Sequence, residues 1–569
     1  MGLRDTVLDV GRSARGLAFR AATLGVVGIR SGMARALELP GALLLLRELP
    51  KGTPNPSLIY RYHARNTPHR TALVIPAQPG VDAGRARDRV YSWLELDRAI
   101  DRAARALARR GVGRGTPVLF ALKNRADAII LPAAVSRVGG ASVTISWRST
   151  ASELEYLVNH SGAKVVFFDA DVADVARAAS AGTPAAPIDA WVSVGGASAG
   201  FPSVEELVAD SATGEKVVDA DTGDAAVVIY TSGTTGRPKG AVRKFPKDAL
   251  SGALAFVGET PLRVGQVHLC VCPLYHSTAF GFVNLTYILG GTIVLLPDFR
   301  PDTFLWAVRR YRVETTAVVP TMLHRLMALG ADTLRAHDTT SIQAIVSGGA
   351  PLPASLALDV LNVIGDKLWN FYGATETGLV TVAGPADLRA SPGTIGHRVP
   401  GNEIRLVDER GEACPVGAVG ELYVRSSLMV EGYSKDPDAT RSSMLEGFFS
   451  VGDLARVDAR GCYHLEGRKR DLIISGGVNV YPAEVEAALD AHPDVVEAAV
   501  IGVPDPEWGE RVRAFVVRRP GSALDEAGLR DHCKARLAGP KVPRDVVFLE
   551  ALPKNPTGKV LKRELRELG

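Results

Sequence analysis

Two hydrophobic periods alternate along most of the chain. Over residues 94–110 (LELDRAIDRAARALARR) apolar side chains recur every three or four positions and the run stops at Gly111. That spacing predicts an amphipathic helix with one buried face. Short continuous apolar runs bounded by turn residues, PVLFAL (117–122) and AKVVFFDA (163–170), predict buried strands. Between them AIILPAAVSRVGG (128–140) reads as an apolar helix stopped by two glycines. The alternation continues through AAVVIY (225–230), GTIVLLP (291–297), TTAVVP (315–320) and SIQAIVSGGA (341–350). It predicts an α/β fold of parallel sheets covered by helices.

The pattern changes twice toward the C-terminus. After about Arg405 the strands shorten and turn signals crowd together, which predicts a small β-rich subdomain up to about residue 468. Beyond it, a helix opened by Pro482, strands over 497–504 and 511–517, an amphipathic helix over 524–537 and a last strand over 545–550 predict a compact α+β unit. The expected organisation is an N-terminal extension (1–50), a large domain (51–469) and a small C-terminal domain (470–569).

Composition narrows the function classes. A chain of 569 residues exceeds what one hydrophobic core supports. Its 46% hydrophobic and 22% charged residues are those of a globular protein. A net charge of +4 without a concentrated basic block argues against nucleic-acid binding. Five scattered cysteines with no CxxC pair predict neither a disulfide framework nor a zinc site, and fit a reducing cytoplasm. In the extension the longest uncharged run, residues 21–29, is far short of a bilayer span. Asp5 and Asp9 spoil a secretion signal. Arg4, Arg12, Arg15, Arg20, Arg30 and Arg35 alternate with apolar residues. Two readings stay open: a helix packed on the main domain, or one lying on the inner, anionic face of a membrane.

The chemistry gathers in a few loops. YTSGTTGRPKG (230–240) follows an apolar strand and joins glycines at 233, 236 and 240 to the hydroxyls of Thr231, Ser232, Thr234 and Thr235 and the cations Arg237 and Lys239. Glycines let backbone amides turn toward an anion, and hydroxyls and cations complete a phosphate cradle. No GxxxxGK[ST] occurs, so this is not a Walker loop. GASAG (196–200) matches a hydrolase elbow by letter only, since no helix follows its serine directly. The strand AIVSGGA (344–350) ends in two glycines, which allows a flat ligand close to the backbone. WNFYGATET (369–377) then puts an aromatic face, a hydroxyl and a carboxylate into one loop, and VGD (451–453) and GRKRD (467–471) precede the pair Gly476-Gly477.

Taken together, YTSGTTGRPKG, YGATETG, GD, GRKRDLIISGGVNVYPAEVE and NPTGKVLKREL resemble the adenylate-forming superfamily, and within it the acyl-CoA synthetases, particularly the fatty-acid-CoA ligases. The similarity covers roughly residues 51–569 with the motifs in family order. It implies a large N-terminal domain, a small mobile C-terminal domain and a site between them. It also implies a reaction in two halves: a carboxylate attacks the α-phosphate of ATP to give acyl-AMP and pyrophosphate, and the thiol of CoA then displaces AMP.

By that resemblance Thr231, Ser232, Gly233, Thr234, Thr235, Gly236 and Lys239 hold the β- and γ-phosphates. Tyr372, followed by Gly373, stacks on adenine, with Asn370 near its edge and Gly348, Gly349 and Ala350 lining the base. Thr375 touches the α-phosphate and Glu376 holds Mg²⁺, a hard cation that prefers oxygen. Asp453 and Arg468 take the ribose, and Lys559 is the catalytic lysine of the adenylation half. Arg470 falls at the hinge, and rotation there exchanges Lys559 for Ser475, Gly476 and Gly477 near the thioester site. His276 matches a position near the incoming carboxylate. Phe280 and Gly281, with Val283 and Leu285, are the expected lining of an acyl pocket. A medium- to long-chain fatty acid is the expected substrate; a carrier protein in place of CoA, or an aromatic or other small acid, is the alternative. Three departures stand out: Val451 replaces a usual threonine, Ser146-Trp147-Arg148 replaces a frequent Asn-Pro, and Arg243-Lys244 follows the phosphate loop where a Ser/Asn-His pair is common.

Overall fold

Two large sheets are built around strands with continuous apolar runs, which must be covered on both faces. The computed structural model describes residues 55–77, 87–209, 226–231, 238–244, 249–555 and 559–568. The N-terminal extension and Ser232–Gly236 of the phosphate loop therefore lie outside the described residues.

The nine-stranded sheet has a parallel centre in the order Leu368–Ala374, Ala344–Ser347, Thr315–Val318, Val267–Cys270, Thr292–Leu295 and Thr71–Ile75. Antiparallel strands close it, Gly378–Ala383 and His397–Arg398 at one edge and Arg89–Ser92 at the other. The seven-stranded sheet runs parallel through Trp191–Val194, Val165–Asp169, Pro117–Ala121, Ala141–Thr144 and Ala226–Thr231. It then reverses into Lys239–Lys244 and Gly432–Tyr433. The phosphate loop is thus the tip of an antiparallel hairpin, with Thr231 opposite Lys239.

Helices cover these sheets. Trp93–Arg109 starts at a capping box, Ser92 with Glu95, and buries Trp93, Leu96, Ile100 and Leu107. It packs beside Asp127–Arg137, and there Arg137 is buried with its guanidinium 2.5 Å from Asp97 and 3.5 Å from Asp101. A buried cation needs such partners, so these pairs hold the two helices in register.

A third, antiparallel sheet contains Glu403–Val407, Gly420–Arg425, Phe448–Val457, Met444–Leu445 and Tyr463–Arg468. Gly432–Tyr433 leaves this region to pair with the phosphate hairpin instead. In the C-terminal part Val495–Asp505 and Gly509–Arg518 form a long antiparallel pair, with Asp545–Leu549 parallel to the latter. Its second helix is Glu526–Lys534, shorter than the sequence suggests. Asp525 accepts from the Gly528 amide at 2.8 Å and caps the helix, so Leu524 lies before it. Among the described residues no helix is long and apolar enough to cross a membrane.

Candidate active site

Parallel strands Ala344–Ser347 and Leu368–Ala374 end side by side, so the loops at their C-terminal ends share one edge of the sheet. Gly348 is required there, because a Cβ on it would lie 2.1 Å from the Phe371 ring. Gly349 has φ +79°, a conformation that favours glycine, and Ala350 follows half-buried. Gly373 is equally constrained: a Cβ would sit 2.1 Å from the Gly378 carbonyl in the hairpin that follows. Asn370 is buried and donates from Nδ2 to the Thr394 carbonyl at 2.9 Å.

The antiparallel sheet brings Asp453 directly opposite Arg468. The Arg468 Nε–H meets Asp453 Oδ1 at 3.1 Å, and the Tyr372 hydroxyl donates to Asp453 Oδ2 at 2.7 Å. The carboxylate therefore links strands of two sheets, and its remaining lone pairs are acceptors for a polyol.

Glu376 is buried beyond Thr375. Burial raises its carboxyl pKa, while its own backbone N–H, the Tyr433 hydroxyl and the charge of Arg468 pull it back. Tyr433 donates to Glu376 Oε1 at 3.0 Å, and its ring lies 5.3 Å from the Lys239 ammonium. Lys239 in turn pairs with Asp436 at 3.1 Å. Tyr433 thus joins the foot of the phosphate hairpin to Glu376. Tyr433 has no role in the sequence reading, and Arg243 stands there only as a departure. Its guanidinium donates to the Thr375 carbonyl at 2.6 Å. Burial lowers its pKa to about 10, against the opposing charge of Glu376, so it stays a cation at neutral pH.

Thr375 also donates from Oγ1 to Ser277 Oγ at 3.3 Å, which ties this loop to the helix Ser277–Ile288. His276 precedes that helix; its Nε2 is buried without a partner among the described residues, and burial pulls its pKa down to about 4. At neutral pH it is an uncharged imidazole with a nitrogen to offer. One turn on, Phe280 is half-buried, and a side chain added at Gly281 would meet nothing within 4 Å. Val283 and Leu285 do not continue this opening: both are packed into hydrophobic clusters, because the helix turns them toward the sheet and neighbouring helices.

Lys559 reaches this site from the C-terminal part. Burial first, then the charge of Arg468, lowers its ammonium pKa to about 8; Arg470 adds to the effect, and Asp453 and Asp471 oppose it. Its loop is anchored on both sides, by Lys554 to Glu497 Oε2 at 2.6 Å and by Lys562 to Glu486 at 2.8 Å. Its backbone N–H donates to Asn555 Oδ1 at 2.9 Å. Arg470 lies in the single turn Lys469–Asp471, and Arg566 pairs with Asp471 at 2.8 Å. Ser475 is buried, while Gly476 and Gly477 form an exposed turn against Trp508. Lys559 shares the surroundings of Asp453 and Arg468.

Residues 60–434 match the AMP-binding enzyme family and residues 484–559 the AMP-binding enzyme C-terminal domain. The chain belongs to the AMP-binding enzymes. It is 35% identical over 509 residues to a feruloyl-CoA synthase from Amycolatopsis sp, covering 88% of this chain and 96% of that protein. It is 30% identical over 479 residues to the long-chain-fatty-acid–CoA ligase FadD13 of Mycobacterium tuberculosis, covering 84% and 92%. Its fold is similar to that of ATP-bound MatB from Rhodopseudomonas palustris, with a TM-score of 0.80, 33% identity, and coverage of 90% of this chain and 99% of that one.

The residues of this AMP-binding enzyme fit both ATP and a hard cation. A glycine-lined edge, a buried tyrosine and a paired carboxylate meet the needs of base and sugar. Glu376 is a buried carboxylate that accepts from the Tyr433 hydroxyl through Oε1, and a carboxylate in this setting suits an oxygen-preferring ion such as Mg²⁺. The Thr231 side chain and Ser232, Gly233, Thr234, Thr235 and Gly236, expected at the phosphates, lie outside the described residues; Lys239 is at the foot of that hairpin.

Proposed function

We propose that this AMP-binding enzyme activates a hydrophobic carboxylic acid as its acyl-adenylate and transfers the acyl group to CoA. The observation that carries the reading is Lys559 lying among Asp453, Arg468 and Arg470. Two anions, a carboxylate and a triphosphate, must be brought together, and the barrier is their mutual repulsion. A carboxylic acid of ordinary pKa, about 4, is already ionised at neutral pH and needs no strong base. Lys559 then neutralises charge where the carboxylate oxygen bonds to the α-phosphorus and pyrophosphate departs. Thr375 and Arg243 hold the loop beside that phosphate, and Asp453 and Arg468 fix the ribose. Mg²⁺ held by Glu376 would spread the charge of the departing phosphates.

In the second half, the CoA sulfur bonds to the acyl carbon and AMP leaves. Arg470 is the hinge of this reading, rotating the 470–569 part so that Ser475–Gly477 replaces Lys559. In this reading His276 hydrogen-bonds the acid, which its neutral imidazole and the unpartnered Nε2 among the described residues support.

The acid itself is read from the helix Ser277–Ile288, whose sequence STAFGFVNLTYI carries no charge. Phe280 and the open space at Gly281 suit an apolar tail, and a medium- to long-chain fatty acid is the leading substrate. Two observations favour an aromatic acid instead. Val283 and Leu285 are core residues, which shortens the opening along this helix, and the feruloyl-CoA synthase named above is a relative. Incubation with ATP and Mg²⁺ and a panel of fatty and aromatic acids, with and without CoA, decides between them. AMP and acyl-CoA from fatty acids support the leading reading; turnover confined to aromatic acids replaces it. Accumulated adenylate without thioester sinks the CoA-ligase reading and turns attention to a carrier protein.

A further inference from the structure

Three side chains with no part in the chemistry above meet at the seam between the nine-stranded sheet and the small antiparallel sheet. Asp387 is on the short helix Pro385–Ala390, His397 on the edge strand His397–Arg398, and Cys462 in the turn before Tyr463–Arg468. His397 Nε2 is 3.5 Å from Asp387 Oδ1 and 3.4 Å from Cys462 Sγ, and all three donor atoms lie within 4.8 Å of one another. Tetrahedral zinc with ordinary bond lengths sets its nitrogen and oxygen ligands about 3.4 Å apart and its sulfur and nitrogen ligands about 3.6 Å apart. The two edges that meet at His397 match those separations, and the third, between Asp387 and Cys462, is no longer than 4.8 Å.

We propose that Asp387, His397 and Cys462 bind one Zn²⁺ ion, with water in the fourth position. A thiolate, an imidazole and a carboxylate together select zinc over magnesium or calcium. On binding, the Cys462 thiol gives its proton to solvent as the sulfur–zinc bond forms. His397 binds through the lone pair of Nε2 and keeps its proton on Nδ1.

The ligands are held in place independently of any ion. Asp387 Oδ2 accepts from the Gly384 amide at 2.9 Å, leaving Oδ1 aimed at His397. The Cys462 amide donates to Asp458 Oδ1 at 2.9 Å, which shapes the turn. Two backbone bonds of 2.9 Å, Ile395 to Tyr463 and Tyr463 to Gly396, join the two segments. Such outer contacts are what orient metal ligands.

The placement has a consequence for the nucleotide site. The hairpin that ends in Cys462 also carries Asp453 and Arg468, and the segment before His397 carries the Thr394 carbonyl that accepts from Asn370. Zinc would clamp the ribose side of the site to the sheet that forms its base side. No cysteine spacing announces this, because the ligands come from separate segments.

The test uses the full chain, stripped of metal by a chelator and titrated with Zn²⁺ alone, then with Co²⁺ as a spectroscopic stand-in. The expected result is one saturable ion per chain, a thiolate-to-cobalt charge-transfer band and a higher Tm with zinc. Cys462→Ser and His397→Gln should both lose the band and the zinc-dependent rise. His397 is exposed, so His397→Gln serves if the buried Cys462→Ser fails to fold. Absence of saturable binding, absence of the band, or binding unchanged in His397→Gln overturns the proposal.

Discussion

Raising the pH through about 8 should switch off adenylation while the free protein becomes no less stable. The Lys559 ammonium is held down from 10.5 to about 8, chiefly by burial and then by Arg468, with Arg470 contributing. At about 1.4 kcal/mol per unit, and with a discount for its residual exposure, keeping that charge in the empty site costs roughly 2–3 kcal/mol. The anions of ATP and the acid offset this cost, which is why the charged form is the working one. In the free enzyme the charged fraction falls about tenfold for each unit above the pKa, and kcat/KM for ATP should fall with it. Bound ATP raises the pKa, so the fall in kcat should come at higher pH. The linkage has the opposite sign. A lysine whose folded-state pKa is lowered penalises the folded chain below about 8, and that penalty disappears as the pH rises toward 10.5. Pyrophosphate exchange measured against pH, beside a melting curve at each pH, separates this from alkaline unfolding. Arg470→Gln removes a cation that pushes Lys559 down, so the fall in kcat/KM should move to higher pH. A rate flat to about pH 9.5, or a limb moved downward by Arg470→Gln, refutes the reasoning.

Two substitutions probe the rest of the site. Tyr433→Phe removes the hydroxyl that donates to Glu376; a hydrogen bond to a charged group is worth about 1.5–3 kcal/mol, so the Mg²⁺ concentration needed for half-maximal pyrophosphate exchange should rise roughly ten- to a hundredfold. An unchanged Mg²⁺ requirement would remove Tyr433 from the account. Gly348→Ala places a methyl 2.1 Å from the Phe371 ring and should cost about 1–3 kcal/mol of stability and weaken ATP binding. Calorimetry of melting and of ATP titration checks both, and wild-type values for the two would contradict the close approach.

Much of this was legible in the chain's own pattern. Strands with continuous apolar runs, such as VVFFD and AIVS, announce their burial on both faces, and they form part of the parallel centres of the two large sheets. The motif loops fall at strand ends, where the structure brings Tyr372, Glu376, Asp453, Arg468 and Lys559 to one region. What escaped has a common cause: contacts made across distant segments leave no local period. Gly432–Tyr433 is too short to show alternation, so its pairing with the phosphate hairpin and the Tyr433–Glu376 bond were invisible. Arg243 could be noticed as an unusual residue, but the Thr375 carbonyl it reaches lies 132 positions further along the chain. Val283 and Leu285 failed for the reverse reason: apolar residues read equally well as pocket lining or as core, and here they are core.

One chain should run both half-reactions, with Lys559 serving the first. Lys559→Ala tests it most directly when both halves are followed separately. Adenylation is read by pyrophosphate exchange with ATP and the acid, and thioester formation by supplying synthetic acyl-AMP and CoA. Exchange should be lost while thioester formation from supplied acyl-AMP stays near the wild-type rate. Equal loss of both halves, or exchange that survives the substitution, would contradict it.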